Sequence, residues 1–298
     1  MTQNKSSTRP VLELAFASVF WGFGFIGTIW ALRALSPPAI IAYRFVIAFA
    51  VGSVMLLALR TPLSLILHEA KLAFGAGFLL CLTLVLQTSG LLFTTATKSA
   101  FITTTYVIIV PLLSHFFLKA RIEKLHWLWV FLALVGTLLI INLKDTNLVW
   151  GDTFTLLNAW AAALHILYVD RISSRSKNPF IFNVTQSFWA GLFALAFFPF
   201  TEKWQFFSLD FNGWIGLLSL AFGSTLLGFY LQIRAQKQIS ASLASLLFLL
   251  ESPMSFFFAY FLLHERLNFL QFFGALLIIF ACVGASLKQG AHKVLVEP

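Results

Sequence analysis

Ten apolar stretches, each about as long as a bilayer-spanning helix, make up most of this 298-residue chain. Crossing the hydrocarbon core takes about 20 apolar residues, and only 10% of the residues here are charged. The stretches lie at 11–32, 38–59, 72–93, 99–118, 125–143, 152–170, 180–200, 213–233, 239–263 and 268–287. Because they leave only short connections, the pattern predicts an all-α integral membrane protein with ten transmembrane helices. It excludes a cytosolic enzyme, a secreted disulfide scaffold and a disordered tail protein.

Positive charge alternates between the segments that join these stretches. Fourteen Lys and Arg residues lie on the side of the N-terminus and five on the other side, with Arg44 left inside a span. Cytoplasmic loops are enriched in Lys and Arg, so the pattern predicts that residues 1–10 and 288–298 are cytoplasmic tails. An error of one span would destroy the alternation, which supports the number ten. The same distribution accounts for the net charge of +9 without nucleic-acid binding.

The two halves of the chain resemble each other weakly after a shift of 142 residues. Pro111 then aligns with Pro253, and Glu123 aligns with Glu265. Each half, 11–143 and 152–287, has five predicted spans, an odd number, so the second half must be inverted in the membrane. Two inverted five-helix repeats around a central cavity are the architecture of many secondary transporters.

The paired prolines lie inside predicted spans four and nine. A proline removes one helical hydrogen bond, which would free the carbonyl groups of Val107 and Leu249. Matching breaks in two halves are typical of helices that border a midplane substrate site, so Pro111 and Pro253 are candidate hinges. A plain packing kink, which is common in membrane helices, is the alternative.

Four motifs occur in a fixed order along the chain. They are Phe20-Trp21-Gly22-Phe23, Ala42-Tyr43-Arg44-Phe45, the segment from Gln87-Thr88-Ser89-Gly90-Leu91 to Val110-Pro111-Leu112-Leu113, and Leu250-Glu251-Ser252-Pro253 followed by His264-Glu265-Arg266-Leu267. With these motifs the chain resembles the EamA-type ten-helix members of the drug/metabolite transporter superfamily. The turn at residues 119–123 departs from the pattern of that family. The resemblance implies two EamA repeats in the inner (plasma) membrane and a carrier, often an exporter, of amino acids, related metabolites or drugs.

Only Arg44 and Glu251 place charge deep inside the predicted spans. Glu251 is too deep to reach an interface, and a carboxyl group in apolar surroundings tends to take up a proton. That property suits proton coupling or the binding of a substrate amine, and the alternative is a neutral glutamic acid that stabilises the break at Pro253. Arg44 has the fork geometry to bind a substrate carboxylate, or it extends to the surface or caps free carbonyls.

Five further residues complete the predicted cavity: Trp21, Gln87, Tyr106, Trp160 and Gln186. Gln186 aligns with Arg44 in the repeat. Trp21 and Trp160 lie at similar depths in the two halves, where flat aromatic faces bind apolar or cationic ligands. Polar faces on spans six and eight are assigned to helix packing instead. No metal-ligand spacing and no phosphate-binding glycine loop is present, so neither a cofactor nor an enzyme is expected.

The function predicted from these features is a secondary-active or facilitative transporter, an exporter by resemblance, that works by alternating access. Its expected partners are a small-molecule substrate, the lipid bilayer and, if Glu251 couples transport to a gradient, protons. Two other classes stay open: an intramembrane enzyme acting on lipids, which needs catalytic acids or histidines clustered at one membrane face, and a passive metabolite channel, which does not saturate.

Overall fold

A computed structural model describes residues 8–94, 99, 102–140, 150–197, 208–262 and 268–288. We number ten helices within these residues. They are α1 (Thr8–Ala31), α2 (Pro37–Ala58), α3 (Leu63–Gly90), α4 (Tyr106–Leu118), α5 (Lys124–Ile140), α6 (Trp150–Ser173), α7 (Pro179–Phe197), α8 (Phe211–Gln236), α9 (Ala241–Leu262) and α10 (Phe269–Lys288). The described part of the chain contains no β-strand, and the predicted all-α membrane fold is confirmed.

Six helices, α1, α2, α3, α8, α9 and α10, are long and apolar enough to cross a bilayer, and two shorter apolar helices cover Ile102–Phe117 and Lys124–Ile140. Asp152, Asn158 and His165, all buried, lower the mean hydropathy of α6. Helix α3 begins nine residues before the predicted span. Its second turn contains Glu69, which is fully buried and whose Oε1 accepts the backbone N–H groups of Lys177 and Asn178.

The packing of the helices is preserved when α1–α5 are exchanged with α6–α10. Helix α3 packs against α6 and α7, and its counterpart α8 packs against α1 and α2. In the same way α1 packs against α9, and α6 packs against α4. Three further contacts join a helix to its own counterpart: α2 with α7, α4 with α9 and α5 with α10. The two halves therefore occupy equivalent positions in the bundle.

Helices α1 and α9 approach so closely that Gly22 has no room for a side chain. A Cβ atom there would lie 2.6 Å from Met254 Cβ and 2.7 Å from the backbone nitrogen of Ser255. On the outside of the bundle, large apolar side chains such as Phe116, Phe261 and Phe280 are exposed. An apolar outer surface is what contact with lipid requires.

Candidate functional site

A cavity of about 120 Å³ lies in the middle of the bundle. It is lined by α1, α3, α4, α6, α8 and α9, with Arg44 as the contribution of α2. Its volume is comparable to that of engineered cavities of about 150 Å³, which bind benzene. Five of the seven predicted cavity residues are among its lining: Trp21, Arg44, Gln87, Tyr106 and Glu251.

The cavity extends from the middle of the bundle toward one membrane face. We call the face at which α1 begins the proximal face and the face at which α1 ends the distal face. The lining includes Thr28 near the end of α1, Gln87 near the end of α3 and Tyr106 at the start of α4, all of which are distal. The cavity thus lies mainly in the distal half of the bundle.

Arg44 is held at the cavity wall by a neutral partner. Its side chain is buried, and Nε donates a hydrogen bond of 2.5 Å to Thr225 Oγ1. The guanidinium carbon lies 5.9 Å from the ring centroids of both Phe45 and Phe229, within the range of cation–π interaction. The terminal Nη groups form no hydrogen bond or ion pair with any described residue. They are therefore available to an acceptor within the cavity.

Glu251 provides the acidic group of the cavity. It begins the second helical piece of α9, is partly buried and lines the same cavity as Arg44. Among the described residues, its carboxyl group has no hydrogen-bond or ion-pair partner, and it does not pair directly with Arg44. The two groups consequently face a shared space without neutralising each other by contact.

The position of Thr225 depends on a π-helical segment of α8, Ser219–Gly228. Such segments are rare and often occur at functional sites. Neighbouring helices hydrogen-bond to its backbone: Trp21 Nε1 donates to the carbonyl of Ser224 at 3.2 Å, and Asn183 Nδ2 donates to those of Thr225 and Leu226 at 3.0 Å each. The segment that presents Thr225 to Arg44 is therefore fixed from two sides.

Helix α9 is interrupted beside the cavity. Its pieces are Ala241–Phe248 and Glu251–Leu262, and the carbonyls of Leu246 and Leu247 accept hydrogen bonds from Cys282 Sγ (3.2 Å) and Ser18 Oγ (3.5 Å). The expectation that Pro253 frees the Leu249 carbonyl is wrong, because Ser252 N–H donates to it at 3.0 Å. The proline stands in the first turn of the second piece, where it is readily accommodated.

The first half has a comparable irregularity. The helical stretch that begins at Ile102 is interrupted at Thr105, and α4 then runs through Pro111 without a break. The interruption in each half thus precedes the proline instead of coinciding with it. Pro111 and Pro253 therefore stand just after the interruptions of these two helices.

Two predicted cavity residues do not line the cavity. Gln186 is fully buried behind it, and its Oε1 lies 3.2 Å from Nε2 of His165, which does line it. Trp160 is 48% exposed on the outer surface of α6, so its predicted place in the cavity wall is wrong. The cavity side of α6 includes Asn158, and a helix turns 100° per residue, which directs Trp160 away from it.

Three lining residues, Asn158, His165 and Gln232, belong to polar faces that the sequence assigned to packing. Ser224 also borders the cavity and was not singled out from the sequence. Asn158 Nδ2 donates to Thr103 Oγ1 at 3.0 Å, whereas its buried Oδ1 has no partner among the described residues. The helical spacing of polar residues on α6 and α8 was the signal that could have identified them. No group of His, Cys, Asp or Glu able to hold a metal occurs in the described parts of the chain.

Comparison with known proteins identifies the family. The sequence profile of the EamA-like transporter family matches residues 9–142 and 149–287, which cover nearly the whole chain. The chain belongs to the EamA-like transporter family. An uncharacterized transporter of Archaeoglobus fulgidus is 31% identical over 277 residues, which are 93% of this chain and 85% of the relative.

One solved structure, described only as the crystal structure of a protein, is similar with a TM-score of 0.75. It has 18% identity and the alignment covers 93% of this chain and 97% of that one, a likeness that shows the fold.

This EamA-family protein is therefore a multi-pass membrane transporter, as the four motifs predicted. A transporter of this kind acts on a small-molecule substrate and works within a lipid bilayer. The cavity between its two halves is the candidate place for that substrate.

Proposed function

We propose that this protein is a secondary-active or facilitative carrier that exports small organic metabolites with an anionic group, such as amino acids or related compounds, by alternating access. The observation that supports it best is Arg44, a buried cation in the cavity wall whose Nη groups have no partner among the described residues. A buried charge is costly unless it is paired, and a guanidinium binds a carboxylate through two parallel hydrogen bonds. A substrate carboxylate supplies that pairing.

The rest of the lining favours a substrate with more than one kind of group. Glu251 and Asn158 Oδ1, which has no partner in the described part of the chain, can accept hydrogen bonds, so they suit an ammonium or another donor. Trp21, Phe229 and Phe248 form an aromatic cluster at the wall, with ring centroids 5.1–5.5 Å from that of Trp21. This combination fits a small zwitterion with an apolar part.

Glu251 also provides a route for energy coupling. Protonation of an unpaired carboxyl group in the cavity would couple transport to a proton gradient. Without such coupling, the carrier would move its substrate down the substrate's own gradient. The neutral variant E251Q separates these cases: coupling predicts that E251Q abolishes stimulation by an imposed pH difference, while facilitated transport predicts that pH dependence is unchanged.

In the topology proposed here, the protein lies in the inner (plasma) membrane and both of its termini are cytoplasmic. Residues 1–10 and 288–298 form the cytoplasmic tails, and the repeats 11–143 and 152–287 are the two inverted units. The proximal face is then cytoplasmic. The interruptions ahead of Pro111 and Pro253 serve as hinges between the outer and inner parts of their helices.

The test is counterflow in proteoliposomes that contain the purified protein. Vesicles are loaded with one unlabelled zwitterionic amino acid at a time, and then with monocarboxylates and amines as comparison compounds, and uptake of the labelled compound is followed. A carrier shows saturable uptake that preloading stimulates. A channel shows neither property, and a lipid-modifying enzyme shows neither and alters the vesicle lipids.

The same assay tests the role of Arg44. R44K retains the charge and loses the planar fork, so we expect about a tenfold or greater loss of exchange of carboxylate compounds. The matched variant R60K, at an exposed turn, is expected to leave exchange unchanged. Wild-type exchange rates in R44Q would overturn the assignment of Arg44.

A further inference from the structure

Hydrogen bonds join α6 to α8 and its C-terminal turn at the proximal face. Gln236 Nε2 donates to the carbonyl of Ile166 at 3.0 Å, and Ser173 Oγ donates to the carbonyl of Gln236 at 3.2 Å. Just beyond the two helices, Lys237 Nζ donates to the carbonyl of Ser176 at 2.7 Å. The C-terminal part of α8, Phe229–Gln236, also packs directly against α6. We call this contact the α6–α8 seam, and it separates the cavity from the proximal face.

The pseudo-symmetry of the bundle identifies the equivalent place at the distal face. Exchange of the halves replaces α6 by α1 and α8 by α3, and the 142-residue shift takes Ile166 to Gly24 and Phe229 to Gln87. All four of these residues line the cavity, so the two seams differ in their contacts and not in their lining. The C-terminal part of α8 packs against α6, whereas α1 makes almost no contact with α3. No hydrogen bond joins the described residues of α1 to those of α3. The α1–α3 seam is open at the place where its symmetry mate is closed.

Two other pairs among these four helices, α1 with α8 and α3 with α6, are in contact at both membrane faces. Helices α1 and α8 meet near the distal face, where a Cβ atom on Gly27 would lie 3.0 Å from the carbonyl oxygen of Gly216. They meet again near the proximal face, where Glu13 Oε1 lies 2.6 Å from Arg234 Nη2. A pair that is joined at both ends behaves as one rigid unit.

The counterpart pair, α3 and α6, has the same property. Near the distal face a Cβ atom on Gly90 would lie 3.1 Å from the carbonyl oxygen of Gly151, and Thr94 Oγ1 donates to Asp152 at 2.9 Å. Near the proximal face Tyr168 OH donates to the carbonyl of Leu72 at 3.1 Å. The α1–α8 and α3–α6 pairs thus form two units, and the α6–α8 and α1–α3 seams lie between them. Helix α7, whose Asn183 bonds to α8 while the helix packs against α3, connects the two units.

We propose that the α6–α8 seam is the proximal gate of the carrier and the α1–α3 seam its distal gate. In the conformation described here the proximal gate is closed and the distal gate is open. Transport exchanges these two arrangements, which rests on the alternating-access function proposed above. Few bonds hold the closed gate. Each of the two neutral hydrogen bonds, from Gln236 and Ser173, changes an equilibrium by only about two- to tenfold, so both are readily broken and remade.

The first test locks the proximal gate. Cysteines are introduced as S173C with Q236C and joined by a short bifunctional thiol reagent that is cleaved by reduction. We expect cross-linking to stop counterflow and reduction to restore it. The matched control is T94C with D152C, two side chains 2.9 Å apart that join α3 to α6 within one unit, and its cross-link is expected to leave counterflow intact. Cross-linked S173C/Q236C that still exchanges at the rate of the reduced protein would overturn the proposal, as would failure of that pair to react.

The second test measures opening of the gate without any substrate. In Q232C, a cavity residue beside the seam, the rate of labelling by a membrane-impermeant maleimide is measured from the proximal side. Adding Q236A removes the hydrogen bond to Ile166 and is expected to raise that rate by about two- to tenfold. The native Cys81 and Cys282 are buried, and the parent protein provides the background rate. An unchanged labelling rate would exclude this gate. Absence of counterflow in the parent protein with every compound would instead contradict the carrier function, and the labelling result would still hold.

Discussion

Thr225→Val tests whether the hydroxyl group of Thr225 holds Arg44 in place. Valine has nearly the volume of threonine, so the substitution removes a hydroxyl group and leaves packing almost unchanged. Two hydrogen bonds are lost: the one that Thr225 Oγ1 accepts from Arg44 Nε and the one that it donates to the carbonyl of Leu220 at 2.8 Å. Because the arginine is charged and buried, the first bond alone is worth about 1.5–3 kcal/mol.

The chain contains a matched control in Thr83, which aligns with Thr225 in the repeat and also lines the cavity. Its hydroxyl group donates only to the carbonyl of Leu79, four residues back in the same helix. A local bond of this kind contributes little to helix stability, so Thr83→Val is expected to change the free energy of unfolding by less than about 0.5 kcal/mol.

The assay is reversible unfolding of the purified protein in mixed detergent micelles, followed by circular dichroism and compared between the two variants. We expect Thr225→Val to lose about 1.5–3 kcal/mol relative to Thr83→Val. Counterflow of carboxylate compounds is expected to fall in Thr225→Val, because the guanidinium is no longer held toward the cavity. Equal stability of the two variants would refute the claim that Thr225 anchors Arg44.

Two further substitutions test the packing and the cavity wall. Gly22→Ala places a methyl group 2.6 Å from Met254 Cβ and is expected to destabilise the protein by about 1–3 kcal/mol in the same unfolding assay. Gly191→Ala, whose nearest neighbour would be 3.3 Å away, is expected to be neutral within about 1 kcal/mol, and equal effects at both sites would contradict the close approach of α1 and α9. Trp21→Leu removes a cavity wall and the hydrogen bond to α8, so it should lower exchange about tenfold or more. Trp160→Leu should leave exchange unchanged because that side chain is on the outer surface, and a comparable loss in both variants would contradict this assignment.

The sequence predicted the fold well because membrane helices are encoded by long apolar runs and by charge at their ends. It misjudged the start of α3, because Glu69 reads as a polar boundary residue while the fold buries it as a cap for the turn before α7. The π-helical segment of α8 has no signal in hydropathy or in the spacing of its residues. It depends on donors such as Asn183 that come from another helix.

For the site, depth in the membrane was a better guide than direction around the helix. Arg44 and Glu251 could be selected from depth alone, since a buried charge must face the interior. The same criterion misplaced Trp160 in the cavity wall, because a deep tryptophan is stable against lipid as well as in a cavity. The residues that depth overlooked, such as Asn158 and His165, lie on a common face of α6, and that face was visible in the sequence.

The motif Phe20-Trp21-Gly22 acquires a physical meaning from these contacts, although only its tryptophan lines the cavity. The carbonyl of Phe20 accepts a hydrogen bond from Ser224 Oγ at 3.0 Å, and Trp21 Nε1 donates to the carbonyl of the same serine, which ties α1 to the π-helical segment of α8. Gly22 lets α1 approach α9 on its other side. In hydrocarbon, irregular backbone is stable only where fixed polar partners satisfy it, so the gating proposal requires these bonds to persist during transport. It therefore expects α1 and α8 to move together. A single short motif thus contributes to the cavity wall and joins the two helices of one of the two proposed units.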